Sequence, residues 1–529
     1  MARPVVVVAD SVAEEGLALL RPAAQVHVVH GQGAEALKAA LGAAEALLVR
    51  SETRVTADLL EHAPRLRVIG RAGAGVDTID VQAATARGIV VVNAPGGNAI
   101  AAGEHALALM FALARRIAVA DASMKRGEWQ RAAFMGLELT GKTLGLVGLG
   151  RVGSEVARRG LGLEMKVLVF DPYVPDEHVR RLGCEPRELA ALLGEADFVS
   201  LHTPLTDGTR GLMNAERLRL MKSTAYLVNC ARGPLVDVAA LVAALDAGQL
   251  AGAGIDVYEQ EPSSPDDPLA LHPKVVATPH LGASTVEAQT NVAVQVAEEV
   301  LAVLNGLPAQ FAVNAPSVRA EDAAALRPFL ELAALLGKIA TQLAEGTLKT
   351  AEVVYRGAIA ERANLSAVTA AAAQGLLEPI TAGPVNLVNA RLLAQQRGLE
   401  LQEHRSTTPE HYTDLVRVRV QTDRGTTSVA GTIADGRPHV VQIDEYDLHL
   451  PPTPGYLLVT QHTDQPGIIG RVGTILGEAD INVSSMQVGR EAPRGKALML
   501  LSVDDPVPEA VVERLRTVAS IAYIKVVKL

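Results

Sequence analysis

The sequence has only two cysteines in 529 residues, Cys184 and Cys230. That scarcity excludes a disulfide framework and a cysteine-based zinc site, and it fits a reducing cytoplasm. Basic charge is not in excess. The formal net charge of -10 disfavours nucleic acid as a main partner, though it leaves room for local basic pockets. No apolar run approaches the ~20 residues of a membrane span: the longest, Ala106–Ala114, is bounded by Glu104, His105, Arg115 and Arg116. A basic leader with an apolar core is also missing, because the strand-like PVVVVAD begins at Pro4. A soluble protein with no membrane partner is therefore expected. What is present is 49% hydrophobic and 20% charged residues, over a length that implies about three or four domains.

The most informative stretch runs from Leu144 to Asp171. An apolar run ends in Gly148, Gly150 and Gly153 complete G-x-G-x-x-G, a helical run follows, and KVLVFD closes the unit at Asp171. This is the order of a dinucleotide-binding βαβ unit. Gly148 permits the turn, Gly150 admits a pyrophosphate to the backbone, and Gly153 lets helix and strand pack closely. The helix start supplies free N–H groups for phosphate. Asp171, 18 residues past Gly153, suits a ribose diol and would repel the extra phosphate of NADP, so NAD is the expected cofactor.

Residues 1–97 alternate near-continuous apolar strands (VVVVAD, VHVVH, ALLVR, RVIGRAG, IVVVNAP) with helical segments. Such strands imply a parallel sheet covered on both faces. Their ends carry Asp10, Arg50, Ser51, Arg71 and Asn93, where ligands of open α/β sheets collect. A long apolar helix is expected from Asn98 to about Arg116. Further strands follow the glycine motif as DFVSLHTP, AYLVNCARG, GAGIDV and VVATPH. The helical segment from Ser284 to Gly306 is expected to return onto the first lobe.

The domains are accordingly set at 1–97 with 281–307, 98–280, 318–450 and 455–529, with Leu307 to about Arg327 read as linker. LVRVRVQTD, TTSVAGTI and HVVQIDEYDLHL, separated by Asp-Arg-Gly and Asp-Gly turns, read as a β-meander. Arg417 and Arg419 share one face of it, read as the wet one. Leu450–Gly455 reads as a stiff proline linker. The last 75 residues read βαββαβ, a ferredoxin-like unit suited to binding or association. The fold class is thus α/β, with two doubly wound parallel-sheet lobes, a Rossmann-type cofactor lobe and a flavodoxin-like substrate lobe, plus a mixed α+β domain and a ferredoxin-like one.

Arg232 in NCARG, Glu261 in YEQEP and His280 in TPHLGAS are the candidate catalytic residues. A histidine beside a glutamate serves as acid/base with its tautomer fixed. An arginine grips a carboxylate or a polarised carbonyl bidentately. Together they suit hydride transfer between nicotinamide and an α-hydroxy acid, although spacing alone does not show that they meet.

These motifs, with GRAGAGVD from Gly70, NAIAAGEHALAL from Asn98, GLGRVG from Gly148, HTPLT from His202, NCARG from Asn229, GAGIDVYEQEP from Gly252 and PHLGAST from Pro279, resemble those of the D-isomer-specific 2-hydroxyacid dehydrogenases. The likeness extends over the whole chain to the long form of the family, which carries an intervening domain and an ACT regulatory domain. It implies NAD-dependent oxidation of D-3-phosphoglycerate to 3-phosphohydroxypyruvate, with Arg232, Glu261 and His280 catalytic.

By the same resemblance, Arg151, Val152 and Asp171 hold pyrophosphate and adenosine ribose. Cys230, Ala231, Arg232 and Asp256 line the nicotinamide side, and Thr203, His280, Gly282 and Ala283 complete the wall. Arg50, Ser51, Arg71, Gly73 and Asn93 correspond to substrate-cleft positions. Arg131, together with Lys125, resembles a phosphate contact donated by a neighbouring subunit. His462, Asp464 and Asn482, near the helix start at Gly467, match the positions that bind the effector L-serine between paired ACT domains, and a homotetramer is implied. The chain departs from the pattern at Pro234, where a glycine is usual, and at Val238, where a glutamate is frequent. The alternatives are a glyoxylate or hydroxypyruvate reductase and, in another class, a nicotinamide-sensing regulatory protein.

Overall fold

The computed structural model describes residues 3–362, 364–453 and 455–529. Five short, almost wholly apolar strands form the first sheet, in the order Gln25–Val28, Val5–Val8, Ala46–Val49, Val68–Arg71, Val90–Asn93, all parallel. Helix Val286–Leu304 returns to this lobe, burying Val292, Val296, Ala297 and Val300 with Val6, Leu17 and Leu48. Two glycines make that return possible. A Cβ at Gly70 would lie 2.8 Å from both Val296 and Val300, and one at Gly16 would meet Ala293.

The second sheet has seven parallel strands, ordered Val275–Ala277, Gly252–Ile255, Tyr226–Asn229, Phe198–Leu201, Thr143–Val147, Lys166–Phe170, Glu185–Pro186. The chain reverses direction across this sheet between Thr143–Val147 and Phe198–Leu201. A ligand crevice opens at such a switch point, beyond the carboxyl ends of the strands. Helix Ala99–Ala114 packs on the sheet through Leu109 and Leu113, which fill the space above Gly254.

The linker after Leu307 is shorter than the expected Leu307–Arg327. A 24-residue helix, Ala320–Leu343, already runs through Pro328. Leu326, Phe329, Leu332, Leu336, Ile339 and Leu343 recur at helical spacing and are all buried. Their burial, about 1.5–3 kcal/mol each, outweighs the roughly 3 kcal/mol a proline costs within a helix. The sheet beneath is mixed rather than a simple meander. Leu348–Gly357 pairs parallel with Glu400–Ser406 and antiparallel with Asp414–Thr422, and Thr426–Ala434, Arg437–Ile443 and Tyr446–Leu450 follow antiparallel. Within the Leu450–Gly455 linker, Pro454 lies outside the described residues.

The last unit is an antiparallel sheet of Val483–Arg490, Lys496–Val503, Tyr456–Thr463 and Ile521–Lys528, with helices Ile468–Glu478 and Glu509–Arg516 on one face. Its two central strands, Lys496–Val503 and Tyr456–Thr463, are buried on both sides. Leu458, Met499 and Leu501 face the two helices, while Leu457, Val459, Leu498, Leu500 and Val527 join the core of the preceding domain. The C-terminal end of Ala320–Leu343 is capped from this sheet: Lys525 Nζ donates to the Leu343 and Ala344 carbonyls at 3.0 and 3.1 Å. A lysine at that end also complements the helix dipole. Among the described residues no helix is long and apolar enough to cross a membrane.

Candidate active site

The glycine turn follows strand Thr143–Val147 and opens helix Arg151–Gly162. Gly148 has φ +100°, in the region that favours glycine. A Cβ on it would sit 2.7 Å from the His202 carbonyl oxygen, and one on Gly153 would overlap the Gly148 carbonyl. Space beside Gly150 is open. The first-turn N–H groups at Arg151, Val152 and Gly153 have no partner within the helix by geometry, and with the dipole they suit a pyrophosphate. Asp171 is held beside the turn, accepting from Leu149 N–H at 2.8 Å and Tyr173 N–H at 2.9 Å.

Thr203 lies just past the neighbouring strand Phe198–Leu201, packs against Gly148, and has a buried hydroxyl without a partner. A buried polar group left unpaired is costly, and this one belongs to a side chain whose methyl packs on the turn where a dinucleotide would run. These residues fit NAD. Behind them, His202 donates to or accepts from Ser200 Oγ at 2.9 Å; burial pushes its pKa down to about 4, so it is neutral and structural. Burial, then the Asp256 charge, push the Cys230 thiol up, so it is no nucleophile.

The three catalytic candidates come from separate loops at the carboxyl ends of strands. His280 Nδ1 meets Glu261 Oε2 at 2.6 Å. Burial alone would raise the Glu261 carboxyl. The hydrogen bonds from His280 and from Tyr258 N–H, with the Arg232 charge nearby, outweigh it and hold the carboxyl below its ordinary range. Arg232 follows Asn229, whose side chain binds the Arg232 carbonyl at 2.9 Å and shapes the loop. Gly233 lies so close to the Tyr258 backbone that a Cβ would overlap it, so the loops bearing Arg232 and Glu261 are packed together.

Arg232 reaches across to the first lobe, where its Nε donates to Asp77 at 2.9 Å and its guanidinium covers Gly75. Arg71 lies over Gly73, donates to the Ala72 carbonyl at 3.0 Å, and has a buried Nε without a partner. Burial, then the charges of Arg232 and Arg50, bring its pKa down to about 10. The cleft therefore gathers three guanidinium groups with an unanswered donor among them, an arrangement suited to an anion. Asp10 is buried and holds the Arg50–Thr53 loop, accepting from Arg50 N–H at 2.5 Å and from the Thr53 hydroxyl. Asn93 donates to the Ala74 carbonyl at 2.6 Å, so it props the Gly73–Gly75 turn. Ser51 is exposed at the mouth.

Not every candidate arrives in the cleft. Asp256 is fully buried and points inward, where its carboxylate accepts from Leu281 N–H (2.7 Å), Gly282 N–H (2.8 Å), Thr278 Oγ1 (2.7 Å) and His105 Nε2 (3.1 Å). It holds the Thr278–Gly282 loop and does not face into the cleft. Ala283 anchors Gln289 through its carbonyl at 2.7 Å. Arg131 sits exposed in the turn Arg131–Phe134, past the far end of helix Ala99–Ala114, as a residue expected to reach a neighbouring subunit's cleft would. Lys125 is paired with Asp121 at 2.7 Å.

The effector trio is divided. His462 and Asp464 stand beside Ala497 and Lys496 at one end of strand Lys496–Val503, while Asn482 binds Asp504 at the other. Six residues of strand separate the two ends, roughly 20 Å. The crossover helix Ile468–Glu478 carries the chain back between two parallel strands, which spacing alone did not reveal. Asp77, His105 and Thr278 were missed as contributors, although each lies within or beside a motif already singled out, as a polar residue without an assigned task.

Comparison with known proteins agrees with this geometry. Residues 107–282 match the D-isomer specific 2-hydroxyacid dehydrogenase, NAD binding domain, 325–444 the D-3-phosphoglycerate dehydrogenase intervening domain, and 455–520 the ACT domain. The chain is 44% identical to D-3-phosphoglycerate dehydrogenase of Archaeoglobus fulgidus over 96% of its length and 97% of the relative's. It is 42% identical to that of Bacillus subtilis, over 99% of both chains. Among solved structures, TT0316 protein from Thermus thermophilus superposes on 58% of this chain and 99% of its own, with TM-score 0.53 and 39% identity. The apo-structure of D-lactate dehydrogenase from Escherichia coli likewise covers 58% and 99%, with TM-score 0.53 and 27% identity. Matched over nearly its whole length and carrying all three domain types, the chain belongs to the D-3-phosphoglycerate dehydrogenase family, within the D-isomer-specific 2-hydroxyacid dehydrogenases.

Proposed function

We propose that the chain catalyses the NAD-dependent oxidation of D-3-phosphoglycerate to 3-phosphohydroxypyruvate, the entry step of phosphorylated L-serine synthesis. The observation that carries this reading is the His280–Glu261 pair on one wall of a cleft whose other wall presents Arg50 and Arg71, with Arg232 spanning the two. With the Nδ1 proton engaged by Glu261, His280 keeps Nε2 free to take the C2 hydroxyl proton, and the carboxylate stabilises the imidazolium that forms. Arg232 holds the substrate carboxylate and the developing carbonyl. Its present partner gives way easily, because an exposed pair such as Arg232–Asp77 is worth about 0.2–1 kcal/mol. Arg50 and Arg71 take the phosphate, which favours this acid over its unphosphorylated analogues. NAD, when bound, supplies the hydride acceptor. The glycine turn, Arg151, Val152 and Asp171 hold it, with Thr203, Cys230–Arg232 and Gly282–Ala283 along its wall. The test is purified protein assayed with NADH and phosphohydroxypyruvate, and with NAD and phosphoglycerate. Absence of turnover in both directions rejects the reading.

Regulation by L-serine belongs to the same proposal. His462 is buried with an unpartnered Nδ1, and Asp464, which accepts from Arg490 and from Arg494 N–H at 3.2 Å each, would take an ammonium group by sharing or displacing the exposed Arg490 pair. A second copy would have to supply the Asn482 position across a dyad. Ile100, Phe111, Met124, Trp129 and Met135 are exposed along and beyond helix Ala99–Ala114, Trp129 at 81% and Met135 at 84%. Apolar exposure on that scale marks an association surface. Two dyads, one here and one at the ACT edge, would build a homotetramer. Asn482→Ala should lose serine inhibition and keep turnover. Unchanged inhibition in that variant would dismiss the site.

A further inference from the structure

His280 occupies a backbone conformation that an L-residue adopts reluctantly, with φ +55°. Such a residue persists only where its surroundings over-determine it, at a cost of order 1–3 kcal/mol. Two hydrogen bonds from its own N–H, to the Asp256 carbonyl at 2.9 Å and the Thr278 carbonyl at 3.1 Å, hold it there. The next two N–H groups, of Leu281 and Gly282, both end on the Asp256 carboxylate. The acid/base loop is thus suspended from one buried aspartate.

That aspartate needs donors around it, because a buried carboxylate is tolerated only when paired and fully hydrogen-bonded. Burial pushes its pKa up, but the hydrogen bonds from His105, Thr278 and Leu281 N–H bring the net below its ordinary value. His105 is the one donor not on the suspended loop. It projects from helix Ala99–Ala114, a different element, and its Nε2 lies 3.1 Å from Asp256 Oδ1 and 3.0 Å from Thr278 Oγ1. The same helix is fixed on the cofactor side. A Cβ at Gly103 would lie 3.1 Å from Glu155, and Glu104 pairs with Arg159 at 2.8 Å, both on the helix that opens at the glycine turn. Its outer face carries the exposed Ile100 and Phe111.

We infer that His105 is a positioning residue for His280. Through Asp256 and Thr278 it sets the height and direction of the acid/base loop, and it ties that loop to the helix that also braces the pyrophosphate turn. Removing the imidazole leaves Asp256 short of a donor, and the carboxylate can then shift toward the space vacated. The His280 backbone follows, while the cofactor turn, held by its own glycines, stays in place. A displacement of about 1 Å in such a group can cost 10²-fold in rate.

The inference rests on His280 being the acid/base group, and the experiment separates the two claims. His105→Ala and His105→Gln are compared with the unaltered protein for kcat and KM on phosphohydroxypyruvate, for NADH affinity by fluorescence, and for exchange of the Leu281 and Gly282 amides. His105→Ala should lose about 10²-fold in kcat with a much smaller loss of NADH affinity, because the pyrophosphate turn stays in place while only the Gly282–Ala283 part of the wall shifts, and with faster exchange at both amides. His105→Gln, which keeps an N–H donor at similar reach, should recover most of the rate and the protection. A His105→Ala protein with unaltered kcat, or a glutamine variant as slow as the alanine one, overturns the coupling and leaves the reaction assignment standing. If the unaltered protein turns over nothing, the assignment falls, and amide protection alone decides the coupling: equal exchange in all three proteins rejects it.

Discussion

The catalytic half and the regulatory half of this chain are held together in opposite ways. The two lobes that form the cleft have separate cores, two on the first around Val6, Leu48 and Val296 and around Leu47 and Ile69, and two on the second around Leu146 and around Leu201 and Leu227. Across the cleft they touch through polar or weakly attractive groups, Arg232 on Asp77 and Arg151 beside the Phe311 ring at 5.9 Å. The intervening and ACT domains instead share one apolar core that runs without a break from Leu332 and Tyr355 to Leu500 and Val527. Lobes joined by exposed charges can open and close at little cost. Domains joined by a common core cannot separate without exposing it. Motion needed for turnover therefore belongs to the cleft. The C-terminal pair acts as one body, attached to the substrate lobe where Asn386 donates to the Gly88 carbonyl at 2.7 Å.

Substitutions on the two sides should fail differently. His280→Ala should show the largest effect on rate, about 10²–10⁴-fold in kcat. Its thermal transition should move little, since the loop keeps its backbone hydrogen bonds and the half-exposed pair with Glu261 that is lost is worth about 0.2–1 kcal/mol. A variant that keeps full activity would remove the cleft from the comparison. Leu500→Ala, in the shared core, should cost about 2–5 kcal/mol of stability and leave kcat intact below the transition. In calorimetry the intervening and ACT domains should then melt together at a lower temperature. Two separate transitions would contradict the common core.

Arg71→Met should act on binding alone. Loss of a charged hydrogen bond of about 1.5–3 kcal/mol raises KM for the phosphorylated acid roughly 10–100-fold, with little change for hydroxypyruvate. The Arg71 guanidinium has its pKa lowered first by burial and then by Arg232 and Arg50, yet a guanidinium keeps its charge over the working pH range, so the KM difference between Arg71→Met and the unaltered protein should not change with pH. Asp77→Ala should have the smallest effect, at most about 1 kcal/mol. It frees Arg232 and should leave stability unchanged while slightly lowering KM. A marked loss of stability would show that the lobes rely on that pair after all.

What could be read from residue order follows the same division. The glycine turn with Asp171, the parallel strands, and Arg232, Glu261 and His280 were legible because each is a local pattern with a chemical need behind it. Contacts that depend on which elements become neighbours were not. Pro328 hid a helix whose apolar face is satisfied only by the sheet below it. His462, Asp464 and Asn482 look close in sequence, yet a crossover helix sends them to opposite ends of one strand. Asp256 reads as a cleft carboxylate, but the Leu281 and Gly282 N–H groups and His105 draw it inward. The near-continuous apolar run KALMLLSVD did carry the signal of burial on both faces, and its second partner was knowable only from the fold.

The most direct measurement is kcat/KM for NADH-dependent reduction of phosphohydroxypyruvate against hydroxypyruvate, in the unaltered protein. If His280 and Arg232 perform the chemistry and Arg71 with Arg50 reads the phosphate, both acids turn over and the phosphorylated one is preferred by at least about 10-fold, the lower bound for a charged hydrogen bond. Equal efficiency on the two acids, or a preference for hydroxypyruvate, would contradict it.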